Sequence, residues 1–234
     1  MALTWKLFVA AILMTSSASF AEGVRGNDLQ WEANKVNETI TAEARLDFLV
    51  KNYDDNGDMH GSLKIGLFGE RVPMTVLNFV SLCNGVKRPQ GELKYTGSSC
   101  HKLITDMHVQ CGDITNGDGS GGTSIFGETF NDESFDVGLS EAGTIAMANR
   151  GADSNGSQFF IIFRSMQSLD KRHVAFGQIV DKASLEFLFK LNEVPTDGTT
   201  FIPKRKIKLV DCSATNLKKP LMIRRRVAAH LDRF

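Results

Sequence analysis

The residues best placed for chemistry lie in the stretch 143–162, where two apolar segments flank a polar loop. The first segment is Ile145 to Ala148, and the second is Phe159 to Ile162. The loop between them, 149–156, is rich in Asn, Asp, Ser and Gly, the residues that turn a chain. The pattern predicts strand, ordered loop and strand, with the amide of Gln158 at the mouth of an aromatic strand. Pattern alone is equally consistent with an ordinary β-loop-β unit.

The cysteines are a second set of reactive side chains. Two of the four, Cys100 and Cys111, flank one predicted strand segment. A redox-active pair and two free thiols are both compatible with that spacing. The four positions match no usual zinc pattern, so the sequence predicts no metal site.

The residue identities in the stretch 143–162 are more specific than its apolar and polar pattern. The letters M-A-N-x-G-x-x-S-N-G-S-Q-F-F closely resemble the signature of the cyclophilins, a family of peptidyl-prolyl cis-trans isomerases. Residues 126–135 resemble the family's Y-G-E-x-F-x-D-E-x-F segment. Residues 112–113 and 121–125 match the family's glycine-rich segment. Residues 173–177 match its H-V-V-F-G motif. The resemblance covers roughly residues 45–213, with the motifs in the family's order.

The resemblance implies a mainly β fold, a closed eight-stranded antiparallel barrel with two covering α-helices. Residue patterns agree with it. Apolar residues alternate over 46–50 and 63–67, which predicts a hairpin around a turn at 55–57. One helix should open at Pro73 and end at Gly85. A second should run from about 182 to 191 behind the N-cap Asp181. We expect an exposed loop at 86–94 and a last strand over 207–211.

The implied reaction, rotation about an X-Pro peptide bond, has a high barrier because the amide has partial double-bond character. A catalyst needs an apolar pocket for the proline ring. It also needs a hydrogen-bond donor that stabilises the twisted amide more than the planar one. No nucleophile, metal or cofactor is required, so we expect none.

The family's site residues transfer to this chain by position. The implied catalytic residues are Lys102, Gln110, Phe160 and His173. Those implied to bind substrate are Met107, His108, Ala148, Asn149, Gln158, Ser168 and Leu169. Phe160 would form the aromatic floor of the pocket and Leu169 a wall. The alternative for both of these is plain barrel core.

The segment 100–112 departs from the family, which usually reads F-H-R-I-I-P-G-F-M-x-Q-G-G there. Lys102 stands where the family has its catalytic arginine. Lysine is a flexible point charge and arginine a rigid planar fork, so we expect reduced activity. Met107 replaces a pocket phenylalanine and still fills apolar volume. His108 replaces a methionine and makes the rim more polar and pH-sensitive, unless it is simply exposed.

Two further expectations follow from the resemblance. Ser168 falls where many family members carry a tryptophan that contacts the drug cyclosporin, so we expect weak or no cyclosporin binding. Cys83 and Cys212 fall where the family often carries buried thiols, so free thiols are favoured for both.

The chain divides into four predicted parts. Residues 1–21 read as a secretory signal peptide, with an apolar region, Leu7 to Met14, too short to span a bilayer. An uncleaved anchor or a buried helix is the alternative. Residues 22–44 read as a polar arm or linker, with a glycosylation sequon at Asn37. The cyclophilin-like domain, 45–213, follows. We expect the secretory pathway, either the endoplasmic reticulum lumen or outside the cell.

Residues 214–234 read as a basic C-terminal tail. From residue 213 to the end the net charge is +5, against zero for the whole chain. A solvated tail is the plain interpretation. An anionic membrane or an acidic partner bound through residues 218–226 is the alternative. No feature indicates an oligomer, so a monomer is expected.

Three functions are compatible with these observations. The first is an isomerase that helps client polypeptides fold by acting on their X-Pro segments. The second is a proline-peptide binding or chaperone module that has lost useful catalysis, which Lys102 favours. The third is an adaptor that acts through its basic tail.

Overall fold

The computed structural model describes residues 35–55 and 57–226. The predicted signal peptide, residues 22–34 of the predicted arm and residues 227–234 lie outside the described residues, as does Asn56 of the predicted turn. Within the described ranges, no helix combines the length and the apolar character needed to cross a membrane.

Eleven strands and two α-helices make up the described chain. In order they are β1 (Lys35–Asp54), β2 (Gly57–Leu67), α1 (Pro73–Asn84), β3 (Val86–Arg88), β4 (Gly91–Leu93), β5 (Ser99–Cys100), β6 (Lys102–Ile104), β7 (His108–Cys111), β8 (Thr144–Met147), β9 (Phe159–Ile162), β10 (Ala175–Ile179), α2 (Lys182–Asn192) and β11 (Ile207–Arg226). A short 3-10 helix, Gln167–Leu169, precedes β10. The predicted loop at 86–94 is instead the small hairpin β3–β4.

Nine of the strands form one sheet in the order β5-β11-β1-β2-β10-β8-β9-β7-β6. Its two outermost strands, β5 and β6, are separated in the chain by His101 alone, and the amide of His101 donates to Gln110 O in β7 at 3.2 Å. The chain from Ser99 to Ile104 is therefore one kinked strand that joins both ends of the sheet. Counted in this way, eight strands surround the core. The predicted cyclophilin-like barrel is confirmed.

Alternating side chains separate two apolar clusters on the two faces of the sheet. In β9, Phe159 and Ile161 belong to the large inner core with α1 and α2, while Phe160 and Ile162 belong to a smaller cluster. We call this smaller set the outer cluster. Its buried members are Ile40, Phe68, Val137, Leu139, Ala146, Phe160, Ile162, Met166 and Ala175.

Both predicted helices are present where the sequence places them. Pro73 occupies the first turn of α1, and Gly85 follows its end with a positive φ of 83°. The Asp181 side chain caps α2 by accepting from the Ser184 amide at 2.8 Å. Helix α1 packs Val76, Phe79 and Cys83 into the inner core, as its spacing predicts.

The predicted arm is wrong from residue 35 onward. Residues 35–44 belong to β1, in which every second residue from Glu38 to Val50 is buried. The alternation is hard to recognise in the sequence because its first four buried positions are Glu38, Ile40, Ala42 and Ala44. One of these is charged and two are small. Glu38 is buried, and its carboxylate accepts from Arg71 Nε at 3.1 Å, which offsets the cost of burying the charge. Asn37 lies in β1 with an exposed side chain.

The predicted tail is wrong up to Arg226. Strand β11 continues past residue 214 to Arg226 and lies beside β1 in the sheet. The amide of Lys51 donates to Lys206 O at 3.1 Å, and Thr39 Oγ1 lies 3.6 Å from Met222 Sδ. The two strands therefore run in opposite directions as one long ribbon. Polar residues such as Lys218 and Lys219 give this segment no strand pattern in the sequence. It forms a strand because it pairs with β1.

All four cysteines are paired. Cys83 of α1 is bonded to Cys212 of β11, so the expectation of free thiols at these positions is wrong. The fold brings them together because α1 packs against β11, although they lie 129 residues apart. Cys100 and Cys111, which the sequence left undecided, form the second disulfide.

Candidate active site

Three of the implied catalytic residues lie side by side across neighbouring strands. Lys102 of β6 pairs with Gln110 of β7, and Gln110 pairs with Phe160 of β9. Phe160 in turn pairs with Ala146 of β8. Directly paired residues point to the same face of a sheet, so this row presents a cation, an amide and an aromatic ring together. The face is that of the outer cluster.

Apolar side chains surround Phe160. Its side chain is only 3% exposed, within the outer cluster. Three predicted pocket residues, Met107, Ala148 and Leu169, are partly buried against that cluster. Phe160 lies in a buried cluster separate from the inner core, and Leu169 packs against the same cluster. The arrangement offers a ring-sized apolar floor with walls on two sides.

Two histidine rings flank Phe160. The His173 ring centroid lies 5.1 Å from that of Phe160, in an edge-on arrangement, and that of His108 lies 5.2 Å away. His173 Nδ1 lies 3.0 Å from Met147 O, and a carbonyl only accepts, so Nδ1 carries the proton. Nε2 is then the unprotonated nitrogen of the neutral ring.

Burial keeps both rings neutral at physiological pH. It lowers the pKa of His173 below its usual value, although the hydrogen bond to Met147 opposes the shift. Burial also lowers the pKa of His108 to about 4, helped by the positive charge of Lys102 and by His173. The alternative of an exposed His108 of no consequence is wrong, because Nδ1 of His108 is buried and has no partner in the described chain.

A pair of glutamines links the row to the neighbouring loop. Gln110 Nε2 donates to Gln158 Oε1 at 2.8 Å, and Gln158 Nε2 donates to the carbonyls of Gly119 and Gly121 at 2.9 and 2.8 Å. The main chain of Gln158 accepts from the Ala148 amide at 2.9 Å. Both side-chain amides are therefore fixed in orientation. Together they hold Gln110 in place beside the aromatic floor.

A cavity of about 110 Å³ opens beside this glutamine pair. Its lining includes Gln110, Ala148, Asn149 and Gln158 from the predicted set. The amide of Asn149 is held by donation from Nδ2 to Arg172 O at 2.7 Å. The cavity gives a bound peptide room for a side chain next to the proline pocket.

Sequence reasoning missed the residue that shapes this cavity, Asp113. Burial would raise the pKa of its carboxyl, but backbone amides, among them those of Asn116, Gly121 and Gly119, hold that pKa well below its usual range. The amides of Gly119 and Gly121 donate to Oδ2 at 2.8 and 3.0 Å. A Cβ at Gly119 would lie 2.6 Å from His101 Cδ2, and its φ is +92°. An aspartate followed by a Gly-, Asn- and Ser-rich segment was the available signal.

Two predicted residues contribute less than expected or differently. Ser168 is exposed in the 3-10 helix and builds no wall. Lys102 Nζ makes no ion pair or side-chain hydrogen bond within residues 35–55 and 57–226. Its ammonium group is thus available to a bound peptide.

Comparison with known proteins decides the family. The model of the family described as cyclophilin type peptidyl-prolyl cis-trans isomerase/CLD matches residues 52–214. The chain belongs to this family. A relative in Mycosarcoma maydis named peptidyl-prolyl cis-trans isomerase H is 42% identical over 153 residues, covering 65% of this chain and 96% of the relative. Peptidyl-prolyl cis-trans isomerase CYP21-1 of Arabidopsis thaliana is 39% identical over 161 residues, covering 68% and 70%.

The cyclophilin match ends within β11. Residues 215–226 of that strand lie beyond it, as do residues 35–51 of β1. Residues 215–226 therefore lie outside the matched range, whereas β1, whose residues 42–50 pair with β2, is one of the eight barrel strands. All eleven predicted site residues fall inside the matched range.

Proposed function

We propose that this cyclophilin isomerises X-Pro bonds of client polypeptides in the secretory pathway, at a lower rate than an arginine-bearing member. The observation that carries the proposal is the row of Lys102, Gln110 and Phe160. It places a hydrogen-bond donor beside a buried aromatic floor, which is what amide rotation requires.

Binding places the proline ring on Phe160. Met107 and Leu169 contact the ring from the sides, because both pack against the same outer cluster. Gln110, held by Gln158, aligns the peptide main chain. The cavity beside the glutamine pair accepts a neighbouring side chain of the substrate.

Rotation is helped by a bond that exists only when the amide twists. As resonance is lost, the prolyl nitrogen becomes pyramidal and can accept a hydrogen bond. Lys102 Nζ donates to it, and this stabilises the transition state more than the planar ground state. No covalent bond is made or broken at any step.

The reduced rate follows from the donor. Removing one well-placed donor costs about 3 kcal/mol, or about a hundredfold in rate. Lys102 still donates, so its cost relative to arginine should be smaller. Its flexible stem has no anchoring partner in the described chain, so the donor is less well oriented than a planar fork.

The compartment is supported by two features of different kinds. Residues 1–21 have the pattern of a secretory signal peptide. Both cysteine pairs form disulfides, which persist in oxidising compartments and are rare in the cytosol. Asn37 is exposed in β1 and is the candidate for a glycan on that route.

The test is isomerase activity on a short X-Pro peptide, with residues 22–234 compared with Lys102→Arg and Lys102→Ala variants. We expect Lys102→Arg to raise kcat/KM and Lys102→Ala to lower it by up to about a hundredfold. Lys94→Ala is the matched control, because Lys94 is ion-paired to Glu92 away from the row. Equal activity of wild type and Lys102→Ala would remove Lys102 from the mechanism.

The second candidate is a proline-peptide binder without useful catalysis, which the substituted donor favours. It would show the uncatalysed rate in wild type and a restored rate in Lys102→Arg. Binding of an anionic membrane or an acidic partner through residues 218–226 is a weaker candidate. One of the basic residues in that segment, Arg225, is buried against the outer face of the barrel, over the Phe68 ring.

A further inference from the structure

The part of β11 beyond the family match covers the cluster that supports the proline pocket. Leu217 and Ile223 of this strand are partly buried against the outer cluster, which also contains Phe160 and supports Leu169. This part of β11 is thus in contact with the same apolar body as the floor of the site. A change in its packing reaches the pocket through that body.

Arg225 is the most deeply buried of residues 215–225, with 1% of its surface exposed. Its guanidinium donates to Gly138 O at 3.1 Å and to Thr144 Oγ1 at 2.9 Å. Its Cζ lies 5.2 Å from the centroid of the Phe68 ring, a cation–π contact. Burying a charge is costly unless polar partners receive it, so these contacts are specific anchors.

The surrounding charges are consistent with a permanent cation. Burial lowers the pKa of Arg225, while the carboxylates of Glu141, Glu38 and Asp170 oppose that shift. An arginine remains protonated under such conditions. Both hydrogen bonds of the guanidinium are therefore made by a charged donor.

One anchor leads to the wall of the pocket. Gly138 precedes Leu139, whose amide donates to Asp170 Oδ1 at 2.7 Å and whose carbonyl accepts from the Met166 amide at 2.7 Å. The Met166 carbonyl accepts from the amide of Leu169 at 2.9 Å. A short hydrogen-bonded path thus runs from the guanidinium to the segment that carries Leu169.

The other anchor leads to the floor. Thr144 is the first residue of β8, and Ala146 of the same strand is paired with Phe160. Thr144 Oγ1 also lies 2.8 Å from Gln178 Oε1 in β10. The guanidinium therefore joins the loop before β8 to the start of the strand beside the floor.

We propose that Arg225 is a positioning residue for the proline pocket, through which residues 215–226 of β11 set the distance between the Leu169 wall and the Phe160 floor. The proposal rests on the proposed isomerase function of the site. Arg225 does not touch the substrate. It fixes the main chain that carries the wall, so its loss should weaken proline binding more than the chemical step.

The experiment compares Arg225→Met with Lys219→Met, which removes the same charge from an exposed position of the same strand. Steady-state kinetics on an X-Pro peptide should show kcat/KM lower by roughly tenfold in Arg225→Met, mainly through KM, because small misplacements of a site are costly. Lys219→Met should match wild type. In methyl NMR spectra, Arg225→Met should shift the signals of Leu139 and Leu169 and leave those of Leu188 in the inner core unchanged.

Unchanged kcat/KM together with unshifted Leu169 methyls in Arg225→Met would overturn the proposal. If Arg225→Met does not fold, Arg225→Lys decides, because it keeps the charge and removes Nη2, the nitrogen that donates to both Gly138 O and Thr144 Oγ1. We expect it to shift the Leu169 methyls and raise KM, and wild-type values for both would again overturn the proposal. A wild type without isomerase activity would refute the proposed function, while the methyl shifts would still test the positioning.

Discussion

Cys100 and Cys111 are joined by a disulfide that brackets the hairpin of β6 and β7. The closed segment of chain contains Lys102, Met107, His108 and Gln110, four of the eleven predicted site residues. Both sulfurs belong to the inner core, directly behind the face that carries the row of Lys102 and Gln110. The bond therefore tethers β6 and β7 from the face opposite the row.

Removing the Cys100–Cys111 disulfide should reduce kcat/KM strongly but the melting temperature only moderately. The bond spans 11 residues and should contribute about 3 kcal/mol, whereas Cys83–Cys212 spans 129 and should contribute about 5 kcal/mol. We expect Cys100→Ala with Cys111→Ala to reduce kcat/KM strongly and the melting temperature moderately.

The double variant Cys83→Ala with Cys212→Ala is the control. It should show the larger loss of melting temperature and the smaller loss of kcat/KM, because Cys212 precedes the segment 215–226 of β11 that contacts the outer cluster and α1 carries no predicted site residue. Thermal melts and peptide assays on both double variants measure the two orders. A tethering role would be contradicted if the same double variant showed both the larger loss of melting temperature and the larger loss of kcat/KM.

Adjacent phenylalanines of β9 should separate stability from activity. Phe159 packs edge-on against Phe79 and Tyr95 in the inner core, with ring centroids 5.3 and 5.2 Å away. Phe160 belongs to the outer cluster and is the proposed floor of the proline pocket. Phe159→Leu should lower the free energy of unfolding by about 1–3 kcal/mol with kcat/KM largely kept. Phe160→Leu should reduce kcat/KM at least tenfold with the smaller effect on stability, as chemical denaturation and peptide assays would reveal.

The free energy of unfolding should decrease as the pH is lowered, because His108 is buried as the neutral ring. Its folded-state pKa of about 4 lies below the unfolded value, so the unfolded chain binds the extra proton between these values. The stability contributed by the neutral ring is complete above the unfolded pKa, about 6.5, and is lost as pH falls towards 4. His108→Met should therefore gain stability relative to wild type over this window, by at most about 1.4 kcal/mol per pH unit.

Urea denaturation of both proteins at pH 7 and pH 5 measures the difference. His60→Gln is the control, because His60 is exposed on β2. A His108→Met advantage that is the same at both pH values would show that the ring titrates in the folded protein as it does in the unfolded chain.

Cyclosporin affinity should depend on residue 168. The Ser168 side chain is exposed and short, so it offers little surface to a large apolar ligand. Wild type should bind weakly, and Ser168→Trp should bind more tightly by roughly tenfold, because a Trp contact buries a large apolar area. Calorimetric titration measures both. Ser165→Trp, at an exposed serine just before the 3-10 helix, should leave the affinity unchanged.

Much of the barrel could be predicted because its signals are local. The alternation in β1 and β2, the apolar run of β9, the Pro73 and Gly85 ends of α1 and the cap Asp181 are each recognised from a few neighbouring residues. The row of Lys102, Gln110 and Phe160 could be predicted only through resemblance, since no spacing in the sequence reveals that β6, β7 and β9 are neighbours. The role of Asp113 could not be predicted from the sequence. Its carboxylate accepts from backbone amides that come together only in the folded loop.

By itself, the sequence determined the side-chain inventory of the site: the substituted donor Lys102, the polar rim residue His108 and the absent tryptophan at Ser168. Tertiary structure alone decided the partners. Which cysteines pair, whether His108 stacks on Phe160, and whether Arg225 belongs to a tail or to the core all depend on contacts between segments far apart in the chain. Such contacts are set by the register and closure of the barrel, which fix the position of every strand relative to the others.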